Sequence, residues 1–342
     1  MSEQITLLAG AANEEQLDLT PLVRQLVAEG KASHGLAQSA RPISHQAVEI
    51  AELAGESMAI GFSIWSHRMT TEYVQRFGSA DFRAKHLERL LTGEGIGSTA
   101  LATALVDNSG AQPLPITFDE TDGGFLISGH IPWASNLRPG TVVVFGARNE
   151  KTEHRALFAS VVGEPGLNVK PAGQLLGLNG TSSGSIRFDN HFVPNDQLLT
   201  NDCPGFFMAM RPRFLLLQSA FCLGLARASL LQAEAAGSRS LGALIASKRS
   251  ELEALEDEFR ELGEKLGEFS PEGPEGGPLP FVSIRLRLAL IAQEITRLEL
   301  AVVGGRGYFV EHETSRRVRE SLFLSIQAPT EEALRWELQQ FH

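Results

Sequence analysis

Residues 176–194 read Leu-Gly-Leu-Asn-Gly-Thr-Ser-Ser-Gly-Ser-Ile-Arg-Phe-Asp-Asn-His-Phe-Val-Pro. Three glycines, Gly177, Gly180 and Gly184, allow tight turns and close backbone approach. Ile186, Phe188 and Phe192 then alternate with polar residues and predict one apolar strand face, and Pro194 ends the pairing. On this reading the stretch closes a small β domain. Helical and then strand-like patterns precede it, and almost wholly helical patterns follow.

Working outward, residues 1–96 read as helices. Leu17, Leu19, Leu22, Val23, Leu26 and Val27 form a helical stripe over Leu17 to Ala28. Ala47 to Trp65 is rich in Ala, Ile, Leu and Met and is expected to be buried on most sides. Phe77-Gly78-Ser79 is a break, with Gly78 suited to a C-cap and Ser79 or Asp81 to the next N-cap. Over 97–203 the period changes. The runs 113–118, 124–128, 141–147 and 155–162 read as strands, separated by Gly123-Gly124 and Pro139-Gly140, and suggest a compact antiparallel β-barrel of about eight short strands. From 204 to 342 the pattern is helical again. Phe206 to Ala236 is apolar on most faces, Ser247 to Leu266 carries a three-and-four leucine stripe, and Val282 to Val303 follows a Pro- and Gly-rich loop. Ser315 to Gln340 is interrupted at Pro329. These make a four-helix bundle. The fold class is therefore multidomain α+β.

Composition narrows the function. The chain has 342 residues, 43% of them hydrophobic, enough for a large core in two or three domains. A net charge of −11 argues against nucleic acid or an anionic membrane surface as the main partner. Cys203 and Cys222 make neither a disulfide scaffold nor a metal site, and read as buried residues of a reduced, cytoplasmic protein. The nine histidines have no metal spacing. No stretch approaches the roughly 20 apolar residues of a membrane span, and Met-Ser-Glu-Gln-Ile lacks the regions of a signal peptide. There is no Walker loop, no Gly-x-Gly-x-x-Gly after a strand and no Gly-x-Ser-x-Gly elbow.

Residues 127–136, Ile-Ser-Gly-His-Ile-Pro-Trp-Ala-Ser-Asn, place an aromatic wall beside small polar residues at a strand end, a combination that suits a planar heteroaromatic ring. Taken alone, Trp133 reads more readily as a packed rim residue. Together with the 176–194 turn and strand, the Phe-Gly-Ser break and Gly304-Gly305-Arg306-Gly307-Tyr308, the segment resembles the acyl-CoA dehydrogenase superfamily, over nearly the whole chain from about residue 40. That resemblance implies the order helical domain, β-barrel, four-helix bundle. It implies FAD, with Trp133, Ala134 and Ser135 against the ring and Leu101, Ala102 and Thr103 holding its pyrimidine edge through backbone donors. It implies Gly304 and Gly305 near the adenine half of FAD of a neighbouring subunit, and Arg239, one position displaced, on the pyrophosphate. A homodimer or homotetramer, an acyl-CoA-like substrate, and an electron-transfer flavoprotein or flavin reductase as redox partner follow from the same likeness. Each element also has a plainer reading: an ordinary strand for 97–105, a helix C-cap for the glycines, and an ion pair for Arg319-Glu320.

The departures are informative. The family's Leu-Thr-Glu-Pro-x-x-Gly-Ser-Asp segment reads Gly-Ser-Thr-Ala-Leu-Ala-Thr-Ala-Leu over 97–105, and its lysine before Trp133 is Ile131. The Tyr-Glu-Gly-Thr that carries the family's catalytic base appears as Gln327-Ala328-Pro329-Thr330. Ala328 cannot take a proton, and removing a proton next to a thioester needs a positioned base. Glu234 is the nearest substitute by pattern, although a surface ion pair suits it better. Three readings therefore stand: α,β-oxidation of an acyl-CoA-like thioester with a displaced base; a flavin-dependent monooxygenase; and a non-catalytic homologue with a vestigial flavin site.

Overall fold

A computed structural model describes residues 18–110 and 112–340. Leu17, the first residue of the predicted N-terminal stripe, lies outside them. Of the remaining stripe residues, buried Leu19 is the N-cap of helix α1, Thr20–Ala28, and Leu22, Val23, Leu26 and Val27 are buried along it. The apolar run expected over 47–65 is two helices, α2 (Ile43–Glu56) and α3 (Met58–Phe77), meeting at the extended, fully buried Ser57. Gly61 allows the second helix to fold back closely, because a Cβ there would lie 2.7 Å from Ala54 Cβ. Helix α4 is Ala80–Thr92. Its N-cap is Ser79 rather than Asp81: Ser79 Oγ accepts from the Phe82 N–H at 3.0 Å and donates to the Asp196 carbonyl at 2.6 Å. One serine thus starts a helix and ties it to the β domain.

The middle of the chain holds β1 (Gly97–Thr99), helix α5 (Ala102–Asn108), β2 (Thr117–Thr121), β3 (Gly124–Ala134), β4 (Val142–Arg148), β5 (Arg155–Val161), β6 (Leu167–Pro171), β7 (Gly184–Pro194) and β8 (Leu198–Thr200). The eight strands form one sheet in the order β6-β7-β3-β2-β4-β5-β8, with β1 on β4. The sheet is mixed rather than wholly antiparallel, since β1 and β2 both run parallel to β4. Those pairings join segments distant in sequence, and no local periodicity reports them.

Strand β7 also differs from its predicted alternation. Ile186 and Phe188 are buried, but Phe192 is 46% exposed and the inward positions are His191 and Val193. A bulge is responsible. Phe188 pairs Gly129 and His191 pairs Ile127, so three steps of β7 oppose two of β3, and Asn190 takes a left-handed φ of 47°. The extra residue reverses which side chains face inward.

The C-terminal part contains α6 (Cys203–Ala236), α7 (Gly242–Leu266), α8 (Leu279–Val303), a short turn at Gly304–Tyr308, α9 (Glu313–Phe323) and α10 (Glu331–Gln339). Helix α6 is long and apolar enough to cross a membrane, contrary to the sequence expectation that no segment is. Most of it is buried inside the protein, packed against α8 and α2. Both cysteines are free and buried, so the thiol of Cys203 is pushed up to about 12, chiefly by loss of hydration.

Candidate functional site

Where α3, the ends of β1 and β3, the 174–183 turn, α6 and α9 converge, they leave a cleft of about 330 Å³. Its β wall is set by the β3–β7 ladder, which places Ala134 opposite Gly184. Gly184 is needed there because a Cβ would stand 2.5 Å from the Lys170 carbonyl of β6. Trp133 and Ser135, on either side of Ala134, both line the cleft, and Trp133 is 40% exposed.

Beside the indole runs a chain of hydroxyls. Ser135 Oγ and Ser183 Oγ are 2.7 Å apart, Ser183 Oγ and Thr181 Oγ1 are 2.7 Å apart, and Thr181 Oγ1 donates to the Leu178 carbonyl at 2.8 Å. The turn that presents them is fastened to the neighbouring strand end: Asn136 and Leu137 donate their N–H groups to the Thr181 and Ser182 carbonyls at 2.8 and 2.9 Å. Leu178 and Ser182 adopt left-handed φ values of 61° and 50° to hold this shape. Asn136 Nδ2 donates to the carbonyls of Ser63 (2.9 Å) and Gly97 (3.1 Å), locking α3, β1 and β3 together beneath the site. Ser98 Oγ donates to the Ser135 carbonyl at 2.6 Å.

The opposite wall is aromatic. Trp65 meets Phe214 edge-on at 4.9 Å, and Phe62 meets Phe323 at 5.2 Å. Gln327 and Ala328 close the floor. Gln218 and Gln327 each donate an amide N–H to the Ala328 carbonyl at 2.9 Å, and buried Arg285 Nη2 donates to Gln327 Oε1 at 2.8 Å. Among the lining residues the only ionisable one is Arg319, which donates to Ser315 Oγ (2.9 Å) and the Val310 carbonyl (3.1 Å). Among the described residues, no carboxylate, histidine, lysine, cysteine or tyrosine lines the cleft.

Of the residues named from sequence, Leu101, Ala102, Trp133, Ala134, Ser135 and Ala328 line this one cleft. Thr103 sits one residue beyond it on α5, its Oγ1 buried without a hydrogen-bond partner. Glu234 does not line it. Its carboxylate is gripped by Arg249 of α7, with Arg249 Nε donating to Oε1 at 2.6 Å and Nη2 pairing with Oε2. That ion pair, which the sequence reading already favoured for Glu234, corrects its placement as a cleft base. Arg239 is exposed in the α6–α7 turn, and Gly304 and Gly305 lie at the surface after α8 with open space around them. Within this one chain these three stand apart from the cleft. Sequence reasoning missed Thr181 and Ser183 as site residues, although the Thr-Ser-Ser run of 181–183 was a usable signal. Phe214 gave none, because it is one of many apolar residues on α6.

No family model matches the sequence. The chain is 24% identical over 313 residues to the mitochondrial isovaleryl-CoA dehydrogenase of Oryza sativa subsp. japonica, covering 85% of this chain and 74% of that protein. It superposes on a glutaryl-CoA dehydrogenase in complex with glutaryl-CoA with a TM-score of 0.87, at 17% identity, over 99% of this chain and 94% of the other. The chain has the acyl-CoA dehydrogenase fold. PigA with FAD and proline shares that fold, with a TM-score of 0.81 at 20% identity over 99% and 96% of the two chains. Among the described residues, the cleft that this fold encloses here is lined by hydroxyls, an indole and aromatic rings, with no carboxylate or histidine.

Proposed function

We propose that this protein is a flavin-dependent oxidoreductase of the acyl-CoA dehydrogenase type, binding FAD along Trp133 and acting on an acyl thioester. The observation that carries the reading is the pairing of a half-exposed, flat indole with the linked hydroxyls of Ser135, Ser183 and Thr181. A planar heteroaromatic group with polar edges needs both a face to stack on and donors at its rim. The relatives are named for acyl-CoA substrates and the structural neighbour PigA for FAD, and both facts support this reading. When bound, flavin supplies two-electron acceptance from a substrate carbon. The chain's own residues stack, orient and exclude water: Phe62, Trp65, Phe214 and Phe323 form an apolar wall for an acyl chain, and the amides of Gln218 and Gln327 fix the Ala328 backbone beneath it. The Ala328 methyl can neither hold nor move a proton.

The base-free lining favours a second reading, a flavin-dependent monooxygenase, which does not require a carboxylate beside the substrate α-carbon. The exposed Tyr308, Phe309 and Val310, at 79, 68 and 59% accessibility, support assembly as at least a homodimer through the turn after α8. The test is a flavin titration followed by anaerobic mixing with butyryl-CoA. The protein should quench FAD fluorescence saturably, and butyryl-CoA should bleach the bound flavin slowly. Ala328→Glu should accelerate bleaching by about 10² to 10⁴, the usual contribution of a positioned base. Fast bleaching by the unaltered protein would overturn the base-free assignment. Oxygen uptake with a hydroxylated product, driven by an added flavin reductase, would favour the monooxygenase. Failure to bind FAD would remove both.

A further inference from the structure

At the far end of α3 from the Trp133 cleft, three arginines converge on one carboxylate. Arg68, Glu72 and Arg76 follow one another at four-residue steps along the helix, and Arg213 reaches in from α6. Arg68 Nη1 lies 2.8 Å from Glu72 Oε2, while Arg76 Nε and Arg213 Nε lie 2.9 and 2.7 Å from Oε1. Glu72 and Arg68 are fully buried and Arg213 is 2% exposed. Carbonyls of the 33–42 loop take some of the remaining donors: His34 accepts from Arg68 Nε and Nη2, and Gly35 accepts from Arg76 Nη2 and Arg213 Nη2. Arg213 Nη1 is buried with no partner. Burying a charge is costly unless an opposite charge accompanies it, and here three guanidinium groups surround a single carboxylate.

Against this cluster lies a second cleft of about 380 Å³, sharing no lining residue with the first. Its walls are the 35–42 loop, Arg76 and Gly267–Phe269, and its ionisable lining residues are Arg41, Arg76 and Glu268. The Phe269 ring holds the Arg76 guanidinium at 3.8 Å from its centroid, and Arg213 stands 6.0 Å from the same ring. With Nε on Glu72 and Nη2 on the Gly35 carbonyl, the ring-held guanidinium of Arg76 has Nη1 left to donate to a planar or tetrahedral anion. Arg68, Arg76 and Arg213 face Glu72 and Glu268, and Arg41 stands at the mouth, where it also borders a neighbouring cleft that holds Glu49, Glu52, Glu256 and Glu264.

We propose that this cleft binds a phosphate group, as free phosphate or as a small phosphate monoester. Arg41 and Arg76 contact it, and Arg68 and Arg213 add to the field from behind. A phosphate dianion brings more negative charge to these guanidinium groups than a single carboxylate does, and arginine forks match phosphate oxygens in geometry. Glu268 at the rim opposes binding and limits affinity.

The test uses the full chain with inorganic phosphate and glycerol 3-phosphate as probes, at ionic strength held constant with sodium chloride. Calorimetry and thermal shift should show saturable binding with a Kd in the millimolar range or tighter, about −4 kcal/mol or more. Arg41→Ser removes an exposed side chain with no ion pair among the described residues, so it should leave the Tm without ligand unchanged and weaken binding about tenfold or more. Arg76→Gln should weaken it further, and Glu268→Gln should tighten it several-fold. Tighter binding of glycerol 3-phosphate than of phosphate identifies a monoester as the ligand, and equal binding identifies free phosphate. No saturable response at about 20 mM of either probe, a response unchanged by Arg41→Ser and Arg76→Gln, or binding of succinate in preference to both would overturn the proposal.

Discussion

The clefts beside Trp133 and beside Phe269 share one helix, α3, yet they enclose opposite kinds of chemistry. In the first, the polar groups at the lining are mostly neutral and hydrogen-bonded: the Ser135–Ser183–Thr181 hydroxyls, the Asn136 amide, and the Gln218 and Gln327 amides on Ala328, with buried Arg285 behind Gln327. Arg319 is its single ionisable lining residue. Four arginines and two glutamates surround or back the second cleft. The difference separates recognition by shape and hydrogen bonding from recognition by charge. Where the resemblance expects an acid–base group, Ala328 stands. Charge is dense where the resemblance implies nothing.

The largest effect that would test this contrast is expected from Glu72→Gln. The change keeps the shape but leaves three guanidinium groups, two of them buried, with no carboxylate. Loss of one partner from a buried ionic cluster typically costs about 3–5 kcal/mol, a fall in Tm on the order of 10 °C for a chain of this size. A loss under about 1 kcal/mol would show that the cluster is solvated and that the contrast between the clefts is not one of burial.

The next effect is a pH dependence with two windows. Burial pushes the Glu72 carboxyl up, but Arg68, Arg213 and Arg76 together outweigh it and hold it at about 2 against an ordinary 4.5. Folding therefore favours the ionised form. The resulting stability, roughly 3 kcal/mol, is present above pH 4.5 and is lost as pH falls towards 2. His67 is pulled down to about 4 from 6.5 by burial, and by Arg68 beside it. Its Nδ1 accepts from the Gly97 N–H at 3.1 Å, which requires the unprotonated ring nitrogen. Folding favours neutral His67, so a similar roughly 3 kcal/mol is present above pH 6.5 and declines as pH falls to 4. Denaturant titrations at half-unit pH steps should resolve both windows. Glu72→Gln should erase the lower one and spare the upper. The reverse result would reassign the acid sensitivity.

The smallest effect belongs to the neutral cleft. Ser183→Ala removes the middle hydroxyl, leaving Ser135 and Thr181 each short of one partner. It should cost about 1 kcal/mol, roughly fivefold in the Kd for FAD by fluorescence titration, with little change in Tm. A large fall in Tm with unaltered FAD binding would make the hydroxyl chain a structural device only.

The order of elements was legible because period and punctuation changed together: the stripe of 20–28, the short runs bounded by Gly123-Gly124 and Pro139-Gly140, and the long apolar α6. The gathering of Leu101, Ala102, Trp133, Ala134, Ser135 and Ala328 around one cleft was anticipated only by resemblance, because those residues come from three separate segments. Three things were not legible. Phe192 faces outward because of a bulge at Asp189–Asn190, which a period-two reading carries straight through. An ion pair suited Glu234 from the sequence, but its partner was not legible, because only the packing of α7 brings Arg249 onto it. Arg68, Glu72 and Arg76 have the spacing of a solvated helix face, and nothing local says that Arg213 and the His34 and Gly35 carbonyls will close over them. Each failure is one of tertiary contact overriding a correct local pattern.

The placement of the tryptophans has a photophysical consequence. The chain has three, and two of them, Trp65 and Trp133, line the first cleft, while the third, Trp336, stands on α10 at 46% exposure and is not among the lining residues. Indole emission responds to polarity within contact distance. The intrinsic fluorescence of this protein is therefore a label-free gauge of what occupies that cleft, with Trp336 as a constant background that Trp336→Phe would remove.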